Sequence, residues 1–171
     1  MDILVVDGYN IIGAWDTLEK LRDIDMSQAR DRLIELMAEY QAYSGDRVIV
    51  VFDAYEVYGL ESKLKQHRVE VIYTKEKETA DECIERLIKK LKNVQNQVYV
   101  ATSDYAEQRT IFSQGALRKS ARELYIEIQN MDQDISQRLE ARQKVTPKSK
   151  IVLDDQTMAV FEKWRRGERK K

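Results

Sequence analysis

The sequence is poor in the side chains that make disulfides and zinc sites. Cys83 is the single cysteine among 171 residues, so an intramolecular disulfide is excluded. A chain without disulfides is typical of a reducing compartment. His67 is the single histidine, and one histidine with one cysteine is too few for the usual zinc ligand sets.

Long apolar runs and a strong net charge are also missing. No stretch approaches the roughly 20 apolar residues that cross a bilayer. The first apolar run, Ile3 to Val6, has four residues and no basic region before it, so it predicts a strand and not a signal peptide. The formal charge of −1 gives no overall field toward nucleic acid or membrane. We therefore expect a cytoplasmic protein with no membrane partner.

Proline and glycine are scarce, and basic charge is concentrated at one end. One Pro and six Gly favour long regular elements, and 171 residues suit one domain with a substantial core. From Val145 to Lys171 there are eight Lys or Arg against four Asp or Glu. We expect a single domain over residues 1–171, with a C-terminal helix and basic tail from about 151 to 171 as an appendage.

Apolar runs and helical patterns alternate along the chain. Short β-branched runs predict buried strands at Ile3–Val6, Arg47–Phe52, Val69–Tyr73 and Val98–Ala101, with a short fifth strand at Gly115–Leu117. Caps and apolar stripes predict helices over Ser27–Ser44, Thr79–Leu91, Tyr105–Ser113, Ser120–Lys144 and from Asp154 onward. A loop is expected over Ile11–Met26 and an irregular stretch over Ala54–Arg68. This alternation predicts an α/β fold with a parallel sheet.

Aspartates follow the predicted strands. Asp7 and Asp53 end two strands directly, Asp104 follows a third, and Asp81 lies in the first turn of a helix. The carboxyl ends of parallel strands share one edge, where open α/β sheets bind ligands. Clustered carboxylates raise one another's pKa, and a divalent cation relieves that conflict. Oxygen ligands favour Mg²⁺ or Mn²⁺, so we predict a metal site made by Asp7, Asp53, Asp81 and Asp104.

Each of these polar residues also has a plainer interpretation. An aspartate after a strand is often a turn former or a helix N-cap, and Asp53 in particular could lie at the rim of the site and only tune its field. Asn10 could orient Asp7, contact a phosphate or act as a turn amide. Thr102 and Ser103 could hold a phosphate or a metal-bound water, or merely cap a helix.

Four segments around these aspartates read VVDGYNII, VVFDAY, VEVIYTKEKETADECIE and VYVATSDYAEQ. Together they resemble the successive motifs of the NYN-domain family, a branch of the PIN-like nucleases, and GALRKSARELYIEI is similar to the bacterial YacP-type members. The resemblance implies a PIN-like three-layer α/β sandwich, with helices on both faces of a mainly parallel sheet. It also implies metal-dependent endoribonuclease activity in which Asp7, Asp81 and Asp104 are the catalytic acids.

The resemblance extends to partners. This branch includes a ribosome-associated endoribonuclease that cuts mRNA, which implies mRNA as substrate and the ribosome as partner. By motif position Asn10 is the polar partner in the first motif, and Asp53 matches an aspartate common after the second strand. The single histidine excludes the two-histidine arrangement of metal-independent ribonucleases.

An acidic site that acts on a polyanion needs basic residues beside it. The predicted RNA contacts are, besides Asn10 and Ser103, a first patch of Tyr55, Lys63, Lys65 and Arg68 and a second patch of Arg118, Lys119 and Arg122. The basic run Lys163–Lys171 is a third candidate. For each patch the plainer interpretation is a solvated surface.

Two functions of other classes stay open at this point. One is a non-catalytic RNA- or ribosome-binding module with a vestigial acidic pocket. The other is phosphotransfer at Asp53, although the first strand lacks the adjacent acidic pair of response regulators. The sequence makes no prediction of oligomeric state.

Overall fold

The fold is a six-stranded sheet between two layers of helices. The structure, a computed structural model, describes residues 1–53, 63–66, 68–145 and 154–167, with the backbone alone for 63–66 and 145. The strands are β1 (Asp2–Asp7), β2 (Arg47–Phe52), β3 (Lys63–Gln66), β4 (Val69–Tyr73), β5 (Gln97–Ala101) and β6 (Leu117–Lys119). The helices are α1 (Gly8–Ala14), α2 (Asp16–Ile24), α3 (Met26–Ser44), α4 (Ala80–Leu91), α5 (Gln108–Ser113), α6 (Ala121–Val145) and α7 (Asp155–Arg165).

The strand order is β3-β4-β2-β1-β5-β6. Five strands run parallel, and β3 pairs antiparallel with β4 at the edge. The chain passes from β1 to β2 on one side, and α4 later carries it across to β5 on the other side of β1. The carboxyl end of β1 is therefore the topological switch point, where sheets of this kind form a ligand crevice.

Alternating side chains of the central strand fill two cores. Leu4 and Val6 of β1 pack in a cluster that includes side chains of α1, α2, α3 and the first half of α6. Ile3 and Val5 lie in the other cluster, with side chains of α4 and α5. Successive residues of a strand point to opposite faces, so an all-apolar strand needs helices on both. The predicted three-layer sandwich with a mainly parallel sheet is confirmed.

Two stretches form helices or strands where none was predicted. Residues 11–26 were expected to be a loop, but they form most of α1 and all of α2 because Ile11, Trp15 and Leu18 recur at helical spacing and are buried. Lys63–Gln66 was expected to be irregular but is the edge strand β3. Its sequence KLKQ lacks the apolar run that identifies buried strands, which is normal for an edge.

Several predicted helix ends are confirmed by their caps. Helix α3 ends at Gly45, which has a φ of 79°, a conformation that glycine adopts without strain. Helix α4 begins with a capping box between Thr79 and Glu82, and Ser120 and Glu123 exchange the same pair of bonds before α6. The start of α3 differs from prediction, because its N-cap is Asp25 and not the expected Ser27.

The chain divides into two compact units, Met1–Asp134 and Ile135–Lys171. In the second unit, α7 is capped by Asp154, whose carboxylate accepts a hydrogen bond from the Thr157 amide. This helix exposes Met158, Val160, Phe161 and Trp164. The organisation of residues 1–171 as one domain with an appendage stays a prediction. Across the described ranges, no helix combines the length and the apolar character that crossing a bilayer requires.

Candidate active site

Asp7 is placed by the end of the central strand. It is the last residue of β1 and the N-cap of α1, and its Oδ1 accepts a hydrogen bond of 3.4 Å from the Asn10 amide. Only 7% of Asp7 is exposed. A Cβ at the next residue, Gly8, would overlap the ring of Phe52. The glycine therefore lets α1 start directly against β2, which keeps Asp7 at the sheet edge.

The remaining residues of the DGYN motif hold this turn in place. The ring of Tyr9 packs on Phe52 with the centroids 5.1 Å apart, and its hydroxyl accepts a hydrogen bond from Arg30. The side-chain oxygen of Asn10 accepts a hydrogen bond from the Ser103 amide, in the loop after β5. Asn10 thus ties the ends of β1 and β5 together, which is a positioning role at the predicted site.

Asp81 is placed by the start of α4. The capping box at Thr79 fixes the first turn of this helix. The carboxylate of Asp53, after β2, accepts a hydrogen bond of 3.3 Å from the Ala80 amide. Asp53 therefore anchors the helix terminus from which Asp81 projects.

Glu107 completes a group that the sequence alone did not predict. Among the described residues, one carboxylate oxygen from each of Asp7, Asp81 and Glu107 lies within 4.8 Å of the others. We call these three residues the carboxylate triad. Glu107 lies three residues after Asp104, as the N-cap of α5, and no pattern in the sequence singled it out.

Asp104 and Asp53 surround the triad without joining it. The backbone amide of Asp104 donates to the hydroxyl of buried Thr102, and its carboxylate accepts from the Ala106 amide at 2.8 Å. Both Asp104 and Asp53 raise the pKa of Asp7 through their charge. The structure thus brings all four predicted aspartates to one edge, but only two of them into the triad. Their predicted roles as ligands stay predictions.

Like charges close to one another dominate the electrostatics of this edge. The pKa of Asp7 is raised to about 7, chiefly by burial and also by the charges of Asp81, Asp53 and Asp104, while the hydrogen bond from the Asn10 amide acts in the opposite direction. Burial also raises the pKa of Glu107 to about 8, followed by its hydrogen bond with Asp81 and the neighbouring negative charges. Such clustering of raised pKa values is a feature of functional sites.

The donor set fits a hard divalent cation. Three carboxylate oxygens converge, and neither histidine nor cysteine is among them. Oxygen-only sets suit Mg²⁺ and Mn²⁺, whereas soft or borderline metals prefer nitrogen and sulfur. The residues that would hold the cation are therefore Asp7, Asp81 and Glu107.

The first predicted basic patch lies mostly outside the described residues. Tyr55 falls in a stretch that the structure does not describe, and Lys63 and Lys65 belong to β3, where the backbone alone is described. Arg68 is exposed, has a φ of 73°, and its carbonyl accepts a hydrogen bond from Gln41. RNA binding by this patch stays a prediction.

The second predicted patch is divided between two environments. Lys119 forms an ion pair of 2.8 Å with Glu127 and donates to the Tyr40 hydroxyl, with 17% of its side chain exposed. Arg122 is exposed in the first turn of α6. The guanidinium of Arg118 lies 5.5 Å from the centre of the Tyr105 ring. The three residues therefore do not form one continuous patch.

Comparisons with known proteins agree with this architecture. The Bacillus subtilis (strain 168) protein YacP is 56% identical over 168 residues, which is 98% of this chain and 99% of YacP. Two crystal structures of Rae1 (YacP) from Bacillus subtilis cover 98% of this chain and 96% of their own. The W164L mutant has a TM-score of 0.75 at 53% identity, and the other structure has 0.74 at 57%.

The family assignment rests on nearly the whole chain. The family described as the YacP-like NYN domain matches residues 4–166. The matched range includes every member of the carboxylate triad, and it includes Asn10 and Ser103, which are joined by a hydrogen bond. The chain therefore belongs to the YacP-like NYN domain family, which is a nuclease-type family.

Proposed function

We propose that this protein is a metal-dependent endoribonuclease that cleaves phosphodiester bonds of mRNA. The observation that supports it is the convergence of Asp7, Asp81 and Glu107 within 4.8 Å at the switch point of the sheet. Three acids meet there although they come from the end of β1, the start of α4 and the start of α5. Such an arrangement costs stability unless a cation compensates it.

Each residue of the site has a separate role in the proposed reaction. A divalent cation held by Asp7, Asp81 and Glu107 would supply Lewis-acid activation of water and charge stabilisation at the phosphodiester. The triad holds the cation, and Asp53 fixes the terminus of α4 that carries Asp81. Asn10 fixes the Ser103 amide, and thereby the loop that leads to Asp104. We expect hydrolysis to leave 5′-phosphate and 3′-hydroxyl ends.

The resemblance to YacP-type proteins supports mRNA as the substrate and the ribosome as a partner. A protein that acts on mRNA at the ribosome would work in the cytoplasm. Overall charge gives no further support, because the formal net charge is −1. Basic groups near the acidic edge must therefore supply the attraction for RNA.

The test is cleavage of single-stranded RNA and of translated mRNA by the full chain in Mg²⁺, Mn²⁺ or EDTA. We expect cleavage with either cation, none in EDTA, and none by Asp81→Asn. Asp132→Asn is a matched control, since Asp132 is an exposed residue of α6 outside the site. Product ends are read by their susceptibility to a 5′-phosphate-dependent exonuclease.

Two results would overturn the proposal. Cleavage by Asp81→Asn at the wild-type rate, in preparations cleared of contaminating nuclease, would remove the role of the triad. RNA binding that persists in EDTA, with no cleavage in any divalent metal, would favour a non-catalytic RNA-binding module instead.

A further inference from the structure

A groove of about 480 Å³ opens beside the acidic edge, within the first unit. It lies where the end of α1, the loop after β5 and the start of α6 meet. Its volume falls in the range of small-molecule sites. Its lining is Ala14, Trp15, Asp16, Ser103, Arg118, Ser120, Ala121, Arg122 and Tyr125.

The charge in this groove is mainly basic and is not paired internally. Arg118 and Arg122 line it, and neither forms an ion pair with a carboxylate in the part of the chain that the structure describes. Within that same part, Nε of Arg118 is buried without a hydrogen-bond acceptor. A buried donor without an acceptor costs free energy, so the side chain of Arg118 is not neutralised or fully satisfied by the described protein groups around it. Asp16 contributes the one carboxylate of the lining.

Aromatic rings flank the two arginines. Tyr125 is half-buried and packs against Trp15 with the ring centroids 5.5 Å apart. The indole N–H of Trp15 donates to the Ala121 carbonyl at 2.8 Å, which fixes this ring pair. Tyr105, beneath the Arg118 guanidinium, is 75% exposed. Rings next to arginines are the surfaces on which unpaired bases stack.

The groove connects directly to the acidic edge. Ser103 lines it, and the Ser103 amide is the group that Asn10 holds beside Asp7. The next residue, Asp104, contributes to the field at Asp7. An RNA strand that occupies the groove is thereby adjacent to the carboxylates.

We propose that this groove binds one nucleotide of single-stranded RNA next to the phosphodiester that is cut. Arg118 and Arg122 contact its phosphate, and Tyr105 or Tyr125 stacks on its base. The inference rests on the proposed nuclease function and adds the groove and the residues that hold the strand beside the cut. Bases in a duplex are paired and stacked on one another, so they cannot enter such a groove.

The test measures binding of a fluorescent single-stranded oligoribonucleotide, and of the matching duplex, by anisotropy over a salt series. Asp81→Asn is the background for every variant, so that binding is read without cleavage in Mg²⁺. The variants are Arg118→Ala with Arg122→Ala, and Tyr105→Ala alone. Arg32→Ala is the matched control, since Arg32 is exposed on α3 and pairs with Glu35 away from the groove.

The two kinds of variant have different signatures. The double arginine variant should bind at least about tenfold more weakly, and its slope of log affinity against log salt should fall by about 0.7 for each phosphate that an arginine no longer neutralises. Tyr105→Ala should bind about tenfold more weakly with an unchanged slope, because stacking releases no counterions. The protein with the wild-type groove should bind the single strand at least about tenfold more tightly than the duplex.

The proposal is overturned if the double arginine variant behaves like Arg32→Ala, if the duplex binds as well as the single strand, or if no RNA binds. These results are independent of the proposed activity. If the wild type cleaves RNA but the arginine substitutions do not weaken binding, the groove proposal is wrong and the nuclease proposal stands. If the double arginine variant binds RNA more weakly but the wild type cleaves none, the nuclease proposal is wrong and the groove proposal stands.

Discussion

Two regions of the first unit treat buried charge in opposite ways. At the edge of the sheet, the carboxylate triad gathers negative groups, and the strongest influences on Asp7 from other side chains are three further aspartates. Between α3, β6 and α6, Lys119 is paired with Glu127 at 2.8 Å and with the Tyr40 hydroxyl at 3.2 Å. One region leaves like charges together, and the other matches opposite charges.

The pKa values of the two regions reflect this difference. Burial would lower the pKa of Lys119, but its hydrogen bonds to Glu127 and Tyr40 raise it overall, so the ammonium stays charged. Burial and the hydrogen bond to Glu127 raise the pKa of Tyr40 to about 12, so this hydroxyl stays protonated. At the triad, burial raises the pKa of both Asp7 and Glu107 and pushes these carboxyls toward neutrality.

The fold can therefore compensate a half-buried charge with an oppositely charged side chain. At the triad, the described residues bring further negative charges instead. Local violations of charge matching in an otherwise consistent fold are expected at functional sites. We therefore expect a bound cation to stabilise the protein more at the triad than at the paired region. Without a bound metal, removing one carboxylate from each region should then change the free energy of unfolding in opposite directions.

The largest expected effect is the loss of cleavage on replacing Asp7 by Asn. The substitution removes one of the three proposed ligands, and with it the expected cation stabilisation of the transition state, worth several kcal/mol. Since each 1.36 kcal/mol is a factor of ten in rate, we expect the rate to fall by at least about a thousandfold. The measurement is the single-turnover cleavage rate of an oligoribonucleotide in Mg²⁺.

A matched change in the other region is the control for Asp7→Asn. Glu127→Gln also converts a half-buried carboxyl into an amide, but it should leave the cleavage rate within about threefold of the wild type, because Glu127 contacts Lys119 and Tyr40 and not the triad. Equal losses of activity in both variants would show that folding defects, and not the triad, control the activity.

The next effect is the pH dependence of stability without metal. Asp7 has a folded-state pKa of about 7 against 3.8 for an unperturbed aspartate, so the folded state binds more protons than the unfolded state in this interval. Stability from this group is present below pH 3.8 and is lost as pH rises through 7. At 1.36 kcal/mol per pH unit the loss is about 4 kcal/mol at most. Glu107 acts in the same direction up to about pH 8.

The check is chemical unfolding in EDTA at pH 5, 6, 7 and 8 for the wild type and Asp7→Asn. The variant should gain stability relative to the wild type as pH rises, because an amide has no charge to bury. Adding Mg²⁺ or Mn²⁺ at pH 8 should then stabilise the wild type more than the variant. A constant difference between the two proteins over this pH range would contradict the burial of an ionisable Asp7.

The third effect concerns the paired region itself. Glu127→Gln leaves the Lys119 ammonium half-buried without its counter-charge, and we expect the free energy of unfolding to fall by about 1–2 kcal/mol. Lys119→Met with Glu127→Leu, which removes both charges, should recover most of this stability. Urea unfolding at pH 7 measures both, and a Glu127→Gln variant as stable as the wild type would show that solvent already screens the pair.

The sequence was sufficient for the residues whose position follows from strand ends and caps. Asp7 ends an apolar run, and Asp81 follows the capping box of Thr79, so both could be assigned to one edge of a parallel sheet. Residues 11–26 were missed because their two helices are short and join at Trp15, which interrupts the pattern of one long amphipathic helix.

Other residues depend on geometry that spacing does not fix. Glu107 is the N-cap of α5, which begins at Gln108, whereas the predicted helix began at Tyr105, so nothing in the predicted pattern singled out Glu107. Neighbouring residues of a strand point to opposite faces. The separation of Lys119 from Arg118 therefore required the bounds of β6, and the predicted strand ended at Leu117.

The smallest effect is expected at Asp53, which lies at the edge without being part of the triad. Asp53→Asn keeps an oxygen that can accept the hydrogen bond from the Ala80 amide, and it removes one of the charges that raise the pKa of Asp7. If Asp53 acts by anchoring α4, cleavage should fall by no more than about tenfold, the lower end of the range for outer partners of metal ligands, because the amide oxygen keeps the hydrogen bond. Asp53→Ala should then reduce cleavage more than Asp53→Asn, because it also removes the acceptor. A reduction in Asp53→Asn as large as that in Asp7→Asn would instead make Asp53 a direct ligand of the cation.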